Sequence, residues 1–266
     1  MRVLVIFALA FAFVSASILN YEQASVRDSP DVGIIRGHDA SPGQFPYQVR
    51  LIMRNNTANK EKTCGGSLIS NTWVLTAAHC TFGAETVIVR MGSILKLSPL
   101  IEHTVTRENI VIHENFNKNT LVNDISLIRI PRVKFNKFIE AVKLPELKSR
   151  PDTYTGHDSI ATGWGLTWNA SNMYPDVLQY THFMILSMNI CTASWGNEIT
   201  KSNLCVSTKL GNSICVGDSG GPLVDFPSMV QIGVSSFVTQ NCSTERPAVF
   251  VRVTSYLGWI LRFIKS

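Results

Sequence analysis

Three short stretches of this sequence hold the groups best suited to act together: a serine among glycines, a histidine beside a cysteine, and an aspartate opening an apolar run. The sharpest is Gly217-Asp218-Ser219-Gly220-Gly221-Pro222. Glycine opens backbone conformations that a side chain forbids and lets a ligand come close. Ser219 can therefore stand exposed on such a loop while neighbouring N–H groups converge on an oxyanion. An ordinary glycine turn would explain the glycines and nothing else. A serine hydroxyl is a weak nucleophile and needs a base. Of the six histidines, His79 sits in Thr76-Ala77-Ala78-His79-Cys80, after the apolar Trp73-Val74-Leu75, where a disulfide at Cys80 would fix the backbone that aims the ring. His38, His103, His113, His157 and His182 lack such a setting and read as surface or core residues. A basic imidazole in turn needs an orienting carboxylate. Asp124, in Asn123-Asp124-Ile125-Ser126-Leu127-Ile128, is an acid at the mouth of an apolar strand, unusual unless paired. Alone it would read as a turn cap. Together the three groups would drive attack of an activated hydroxyl on a carbonyl carbon.

Such groups need a rigid frame, and the pattern from Tyr47 onward supplies one. Short β-rich runs are predicted at Tyr47–Met53, Trp73–Ala77, Thr86–Met91, Thr104–His113, Ser126–Ile130, Ser159–Gly163, Val177–Leu186, Pro222–Val224 and Val230–Phe237. Many short strands broken by Gly, Pro and Asn argue for an all-β barrel or sandwich. One helix closes the chain: Val253, Tyr256, Leu257, Ile260, Leu261 and Ile264 recur at helical spacing, so this stripe should dock on the core while Arg262 and Lys265 face water. With 266 residues and 45% hydrophobic content, the chain can fill one large β domain or two small ones. Only 16% of residues are charged and no Lys/Arg run appears, which argues against a nucleic-acid partner. The net charge of +5 reads as a solvated basic surface.

The N-terminus reads as a targeting signal. Arg2 precedes an apolar run from Val3 to Val14, and Val14-Ser15-Ala16 is a small-residue cleavage site, giving a signal peptide over residues 1–16. The run falls short of the roughly 20 residues a spanning helix needs, so the mature chain is expected to be extracellular and not membrane-bound. Residues 17–33 are polar, contain Pro30 and Gly33, and read as a pro-segment. The six cysteines (Cys64, Cys80, Cys191, Cys205, Cys215 and Cys242) suit that compartment as a disulfide framework, with about 15 possible pairings. No C-x-x-C spacing suggests zinc, no phosphate-loop motif appears, and no cofactor is expected. Asn55-Asn56-Thr57, Asn169-Ala170-Ser171 and Asn241-Cys242-Ser243 are glycosylation sequons.

In combination these residues resemble the chymotrypsin-like serine proteases. The resemblance rests on Ile34-Ile35-Arg36-Gly37, Cys64-Gly65-Gly66-Ser67-Leu68-Ile69, Thr76–Cys80, Asn123-Asp124-Ile125, Thr162-Gly163-Trp164-Gly165 and Gly217–Pro222, and spans Ile34 to the last helix. The order His, Asp, Ser is also that of the family. Within it, Asn123–Pro131 is closest to arthropod chymotrypsin- and elastase-like digestive enzymes. The family implies two packed six-stranded antiparallel β-barrels with a C-terminal helix: a protease domain over 34–266, with barrels at about 34–144 and 145–252. It implies disulfides Cys64–Cys80, Cys191–Cys205 and Cys215–Cys242, a catalytic triad of His79, Asp124 and Ser219, and an oxyanion hole from the N–H groups of Gly217 and Ser219. Ser236 matches a serine that bonds the buried aspartate, and Ser236-Phe237-Val238 a strand that pairs with substrate. Partners would be protein or peptide substrates and protein protease inhibitors, with the enzyme itself a monomer.

The pocket departs from the trypsin pattern. Its base, six residues before the nucleophile, is Ser213 and not an aspartate, so no buried charge awaits Lys or Arg. Val238 and Ala248 stand at two wall positions that are glycine where large side chains enter, Ile214 adds bulk at the base, and Val216 also belongs to the substrate-binding set. The expectation is a narrow pocket for small or medium apolar residues. No calcium is expected, because Met91–His103, the stretch matching the family's calcium loop, carries one acid, Glu102. Activation by a cut between Gly33 and Ile34 would free an ammonium to pair with Asp218. Against all this stands a second reading, a catalytically silent secreted binding protein on the same fold.

Overall fold

The structure, a computed structural model, describes residues 34–55, 60–149, 152–167, 174–239, 242 and 245–264. The expected signal peptide, pro-segment, Asn169 and Asn241 sequons and Lys265 lie outside them. After β1 (His38–Asp39), the chain builds a first sheet from β2 (Gln48–Asn55), β3 (Lys60–Leu68), β4 (Trp73–Thr76), β5 (Thr86–Met91), β6 (Ile101–Thr106), β7 (Ile110–Ile112) and β8 (Ser126–Arg129). A second contains β9 (Asp158–Gly163), β10 (Gln179–Met184), β11 (Asn203–Val206), β12 (Pro222–Phe226), β13 (Val230–Phe237) and β14 (Ala248–Arg252), with β1 on its margin. The orders are β6-β5-β2-β3-β4-β8-β7 and β1-β10-β9-β12-β13-β14-β11, antiparallel throughout.

Each sheet counts seven strands where the family resemblance implied six, for two different reasons. In the first, the run predicted at Thr104–His113 is broken by one 3₁₀ turn, Arg107–Asn109, into β6 and β7. These two pieces of one segment form opposite margins of the sheet, so the sheet curls until its ends meet. In the second, β1 adds two residues against Tyr180 and Gln179. A bridge between Ile185 and Val206 draws the end of β10 to β11.

Alternation of side chains sets the cores. Val49 and Leu51 of β2, Val87 and Val89 of β5, and Leu75 and Leu127 point into the first barrel. Ala161, Phe183, Leu204, Leu223, Ile232 and Phe250 fill the second. Burying one such side chain contributes about 1.5–3 kcal/mol. Besides the two-residue β1, three strands escaped the sequence reading. Lys60–Leu68 (KEKTCGGSL) is too polar and glycine-rich to stand out, yet β2 pairs with it over its whole length; β11 and β14 are short and lie beside turn-rich sequence. The sulfurs pair as Cys64–Cys80, Cys191–Cys205 and Cys215–Cys242, each link restricting the unfolded chain by about 3 kcal/mol in a chain-entropy account.

Beyond β14 the chain makes a 3₁₀ turn, Val253–Ser255, and then a helix over Leu257–Ile264. It buries Leu257, Ile260 and also Trp259, which the sequence stripe had not included; Leu261 and Ile264 are only partly covered. Trp259 Nε1 donates to Glu114 at 2.9 Å and Arg262 pairs with the same carboxylate at 3.1 Å. Among the described residues no helix is long and apolar enough to cross a membrane.

Candidate active site

Pairing of β4 with β8 brings the first two groups together. The ladder ends at Thr76 opposite Ser126. His79 lies three residues beyond the one, in the single helical turn α1 (Ala78–Thr81), and Asp124 two residues before the other. His79 N donates to Asp124 Oδ1 at 2.7 Å, and its Nδ1 is 2.7 Å from Oδ2. Ser236 Oγ donates to the same Oδ2 at 2.6 Å. A carboxylate only accepts, so Nδ1 is the donor here, and in the neutral ring that leaves the lone pair on Nε2. Asp124 is fully buried, and these three donors supply what its lost water would have supplied.

Asn123, just before it, is left-handed at φ 58°. Its side chain is fixed at both ends, accepting from Tyr256 Oη at 2.9 Å and donating to Asn115 O at 2.8 Å. The His113 ring packs edge-on against Tyr256 at 5.4 Å, and burial lowers its pKa. Nothing in the local sequence announces that the C-terminal segment steadies the approach to Asp124.

The other barrel contributes Ser219. Gly65 N of β3 donates to Ser219 O at 2.8 Å. His79 Nε2 and Ser219 O lie 3.7 and 3.6 Å from Cys80 Sγ, so the Cys64–Cys80 link borders both the imidazole and the Ser219 carbonyl. Gly217 has φ 104° and Gly220 φ 78°, which other residues rarely adopt. A Cβ at Gly220 would also strike Thr76 Oγ1 and Gly65 O. The loop is therefore glycine-rich for contact with the first barrel as well as for its shape.

Asp218 points the opposite way, into the protein. It is buried, with Oδ1 accepting from Gly165 N at 2.8 Å and Oδ2 from Cys215 N at 2.9 Å. A Cβ at Gly163 or Gly165 would collide with this carboxylate, which explains the Gly163-Trp164-Gly165 spacing. Burial pushes its pKa up from 3.8 to about 7, the two backbone donors opposing that rise. Ile34 is buried too, and Ser213 N donates to Ile35 O at 3.3 Å. The expected activation segment thus touches the expected pocket base.

Ser213, Ile214 and Ala248 are buried, Ile214 and Ala248 within the core of the second barrel with Val238 packed against it. Val216 is 60% exposed. A groove of about 740 Å³ runs past Phe237 and Val238 between Leu121 and Val122 on one side and Trp195 on the other. Trp195 meets Phe237 edge-to-face at 5.1 Å, and Arg246 lies over its ring at 5.1 Å. Trp195 belongs to a helix, α2 (Met188–Trp195), that the sequence reading missed because its apolar residues form no clear stripe. In the stretch matching the calcium loop, the lone acid Glu102 is bound to Arg90 at 2.6 Å.

Comparison with known proteins agrees with this architecture. The family model described as Trypsin matches residues 34–260. Serine protease 1 of Drosophila melanogaster is 42% identical over 228 residues, 85% of this chain and 84% of that one. A collagenase of Hypoderma lineatum is 37% identical over 262 residues, covering 98% and 97% of the two chains. A solved collagenase structure superposes with a TM-score of 0.81 at 36% identity, over 88% of this chain and 99% of its own. With two curled antiparallel sheets, three disulfides and this span of similarity, the chain belongs to the trypsin family of serine proteases.

Proposed function

We propose that this protein is a secreted serine endopeptidase, made as a zymogen, that cleaves after small or medium apolar residues through His79, Asp124 and Ser219. The observation that carries the reading is the buried Asp124 carboxylate, accepting from the backbone and ring of His79 and from Ser236. Such an acid holds the imidazole in one tautomer with Nε2 free to take a proton. Ser219 Oγ attacks the peptide carbonyl, and His79 accepts its proton and returns it to the leaving amine. Asp124 stabilises the imidazolium formed in between. The N–H groups of Gly217 and Ser219 hold the oxyanion, and Ser236-Phe237-Val238 pairs with the acyl half of the substrate, whose side chains enter the groove beside Leu121, Phe237 and Trp195. Water then releases the acyl group by the same steps in reverse.

Three disulfides and the N-terminal sequence support an oxidising, extracellular destination. Protein substrates and protein inhibitors are the partners of a monomer. A fluorophosphonate probe tests the central reading: processed wild type should be labelled at Ser219 and Ser219→Ala should not. An unlabelled wild type would favour the silent binding protein instead.

Specificity follows from volume. Without a carboxylate at Ser213, Lys and Arg should be poor substrates, because a buried cation needs a partner. Val238→Gly with Ala248→Gly should raise the Phe:Ala ratio of kcat/KM by about tenfold, since each methylene in a pocket is worth about 1–3 kcal/mol of discrimination. Profiling both enzymes on a peptide library measures this. A wild type that already favours Phe over Ala tenfold would show that the walls do not obstruct.

A further inference from the structure

Strand β3 brings a cation to the rim of the site. Lys62 lies two residues before Cys64, whose disulfide partner follows His79 directly. Its Nζ donates to the His79 carbonyl oxygen at 2.8 Å. An ammonium has three donors, so two remain for another acceptor. The neighbouring acid, Glu61, is taken by Arg54 at 2.8 Å. The acid whose charge reaches Lys62 is Asp124, which is buried and already accepts three hydrogen bonds. Partial burial lowers the lysine's pKa and the field of Asp124 raises it. Lys62 is thus an exposed cation on which, among the described residues, no carboxylate sits.

Position gives that cation a use. No residue lining the groove beside Phe237 and Val238 comes from β3 or α1. β3 instead borders Ser219 from its carbonyl side, through Gly65 N. If the acyl half of a substrate occupies the groove, the leaving half must cross the triad toward the Cys64–Cys80 link and Lys62. We propose that Lys62 selects the leaving half of the substrate by receiving a carboxylate, so that peptides with Asp or Glu at the first or second residue after the scissile bond are preferred. This rests on the triad reading above. An ion pair at an exposed rim is worth about twofold to fivefold, and salt screens it.

The test uses processed wild type, Lys62→Met and Lys62→Glu. Peptides share one acyl half and carry Glu, Ala or Lys at the first or second leaving position; an ester of the same acyl half, with no leaving peptide, reports the triad alone. Wild type should cleave the Glu peptide about fivefold better than the Ala peptide in kcat/KM at one position or both. Lys62→Met should bring that ratio to about one, and Lys62→Glu should favour Lys instead. Because each ratio is taken within one enzyme, a general loss of rate from the missing bond to His79 cancels. In wild type alone, raising the ionic strength to about 0.5 M should shrink the ratio, which keeps the inference open to refutation if a variant fails to fold. An unchanged ratio in both variants and in high salt, with the ester still hydrolysed, would overturn the inference and leave the triad standing. No ester hydrolysis by wild type would overturn both.

Discussion

Exchanging Asp124 for Asn should lower turnover by about 10⁴ while the fold stays intact, and Ser219→Ala should reduce it to background. The size of the first effect comes from geometry. Asp124 accepts from His79 twice and from Ser236 once. An amide in its place has one accepting oxygen and an NH₂ group that must meet a lone pair. Turned toward the ring, that NH₂ would force Nδ1 to accept and move the ring proton to Nε2, where it blocks uptake of the serine proton. Single-turnover assays at neutral pH measure the loss, and circular dichroism checks the fold. Near-full activity in Asp124→Asn would mean that another acid orients His79.

The second large effect concerns activation. In the chain that still carries residues 1–33, the Asp218 carboxylate is buried with two backbone donors, and burial holds its pKa near 7 against an ordinary 3.8. A buried acid with a raised pKa favours its protonated form in the fold. Its penalty is therefore absent below about pH 4, grows as pH rises to about 7, and is then constant at roughly 4 kcal/mol by the conversion of 1.36 kcal/mol per unit. An ammonium freed at Ile34 would offset that penalty by giving the carboxylate a partner, and Ile34 is already buried next to the Ser213 contact. Uncut Ser219→Ala protein should thus lose stability between pH 4 and 7, and cutting before Ile34, or Asp218→Asn, should remove that slope in thermal unfolding. The residue before the cut is Gly33, which offers trypsin no charge. Trypsin should leave the Ser219→Ala zymogen without an Ile34 terminus, whereas the mature enzyme, given the narrow pocket proposed above, should produce one. Gly33→Arg should make the zymogen trypsin-activatable. An Ile34 terminus made by trypsin alone from the unaltered zymogen would refute self-activation.

Much of the site was legible because its residues sit in short, compositionally unusual stretches. Glycines crowded around Ser219, a histidine next to a cysteine and an acid opening an apolar strand are each odd locally, and the β-runs between them carry the period of a sheet. The supporting cast was hidden because it is distant in sequence and locally ordinary. Nothing about Tyr256 announces that its hydroxyl meets Asn123, and nothing about Gly163 and Gly165 announces a carboxylate beside them. Lys62 lies in a polar run that resembles a loop until β2 pairs with it. Trp195 reaches the groove from a helix whose apolar residues keep no strict spacing.

The way the sheets end has a meaning for an enzyme that lives among its own kind. A peptidase grips its substrate as an extended strand added to one of its own, so any unpaired margin of a neighbouring copy is potential food. In the first sheet the two margins, β6 and β7, are one segment folded round a single turn, and in the second the Ile185–Val206 bridge ties β10 to β11. The interior strands, paired on both sides, cannot be drawn out into another molecule's cleft without unfolding the barrel. Curled sheets of this kind thereby also resist autolysis, and first nicks should fall in connecting loops and at the margins β1, β6, β7 and β11.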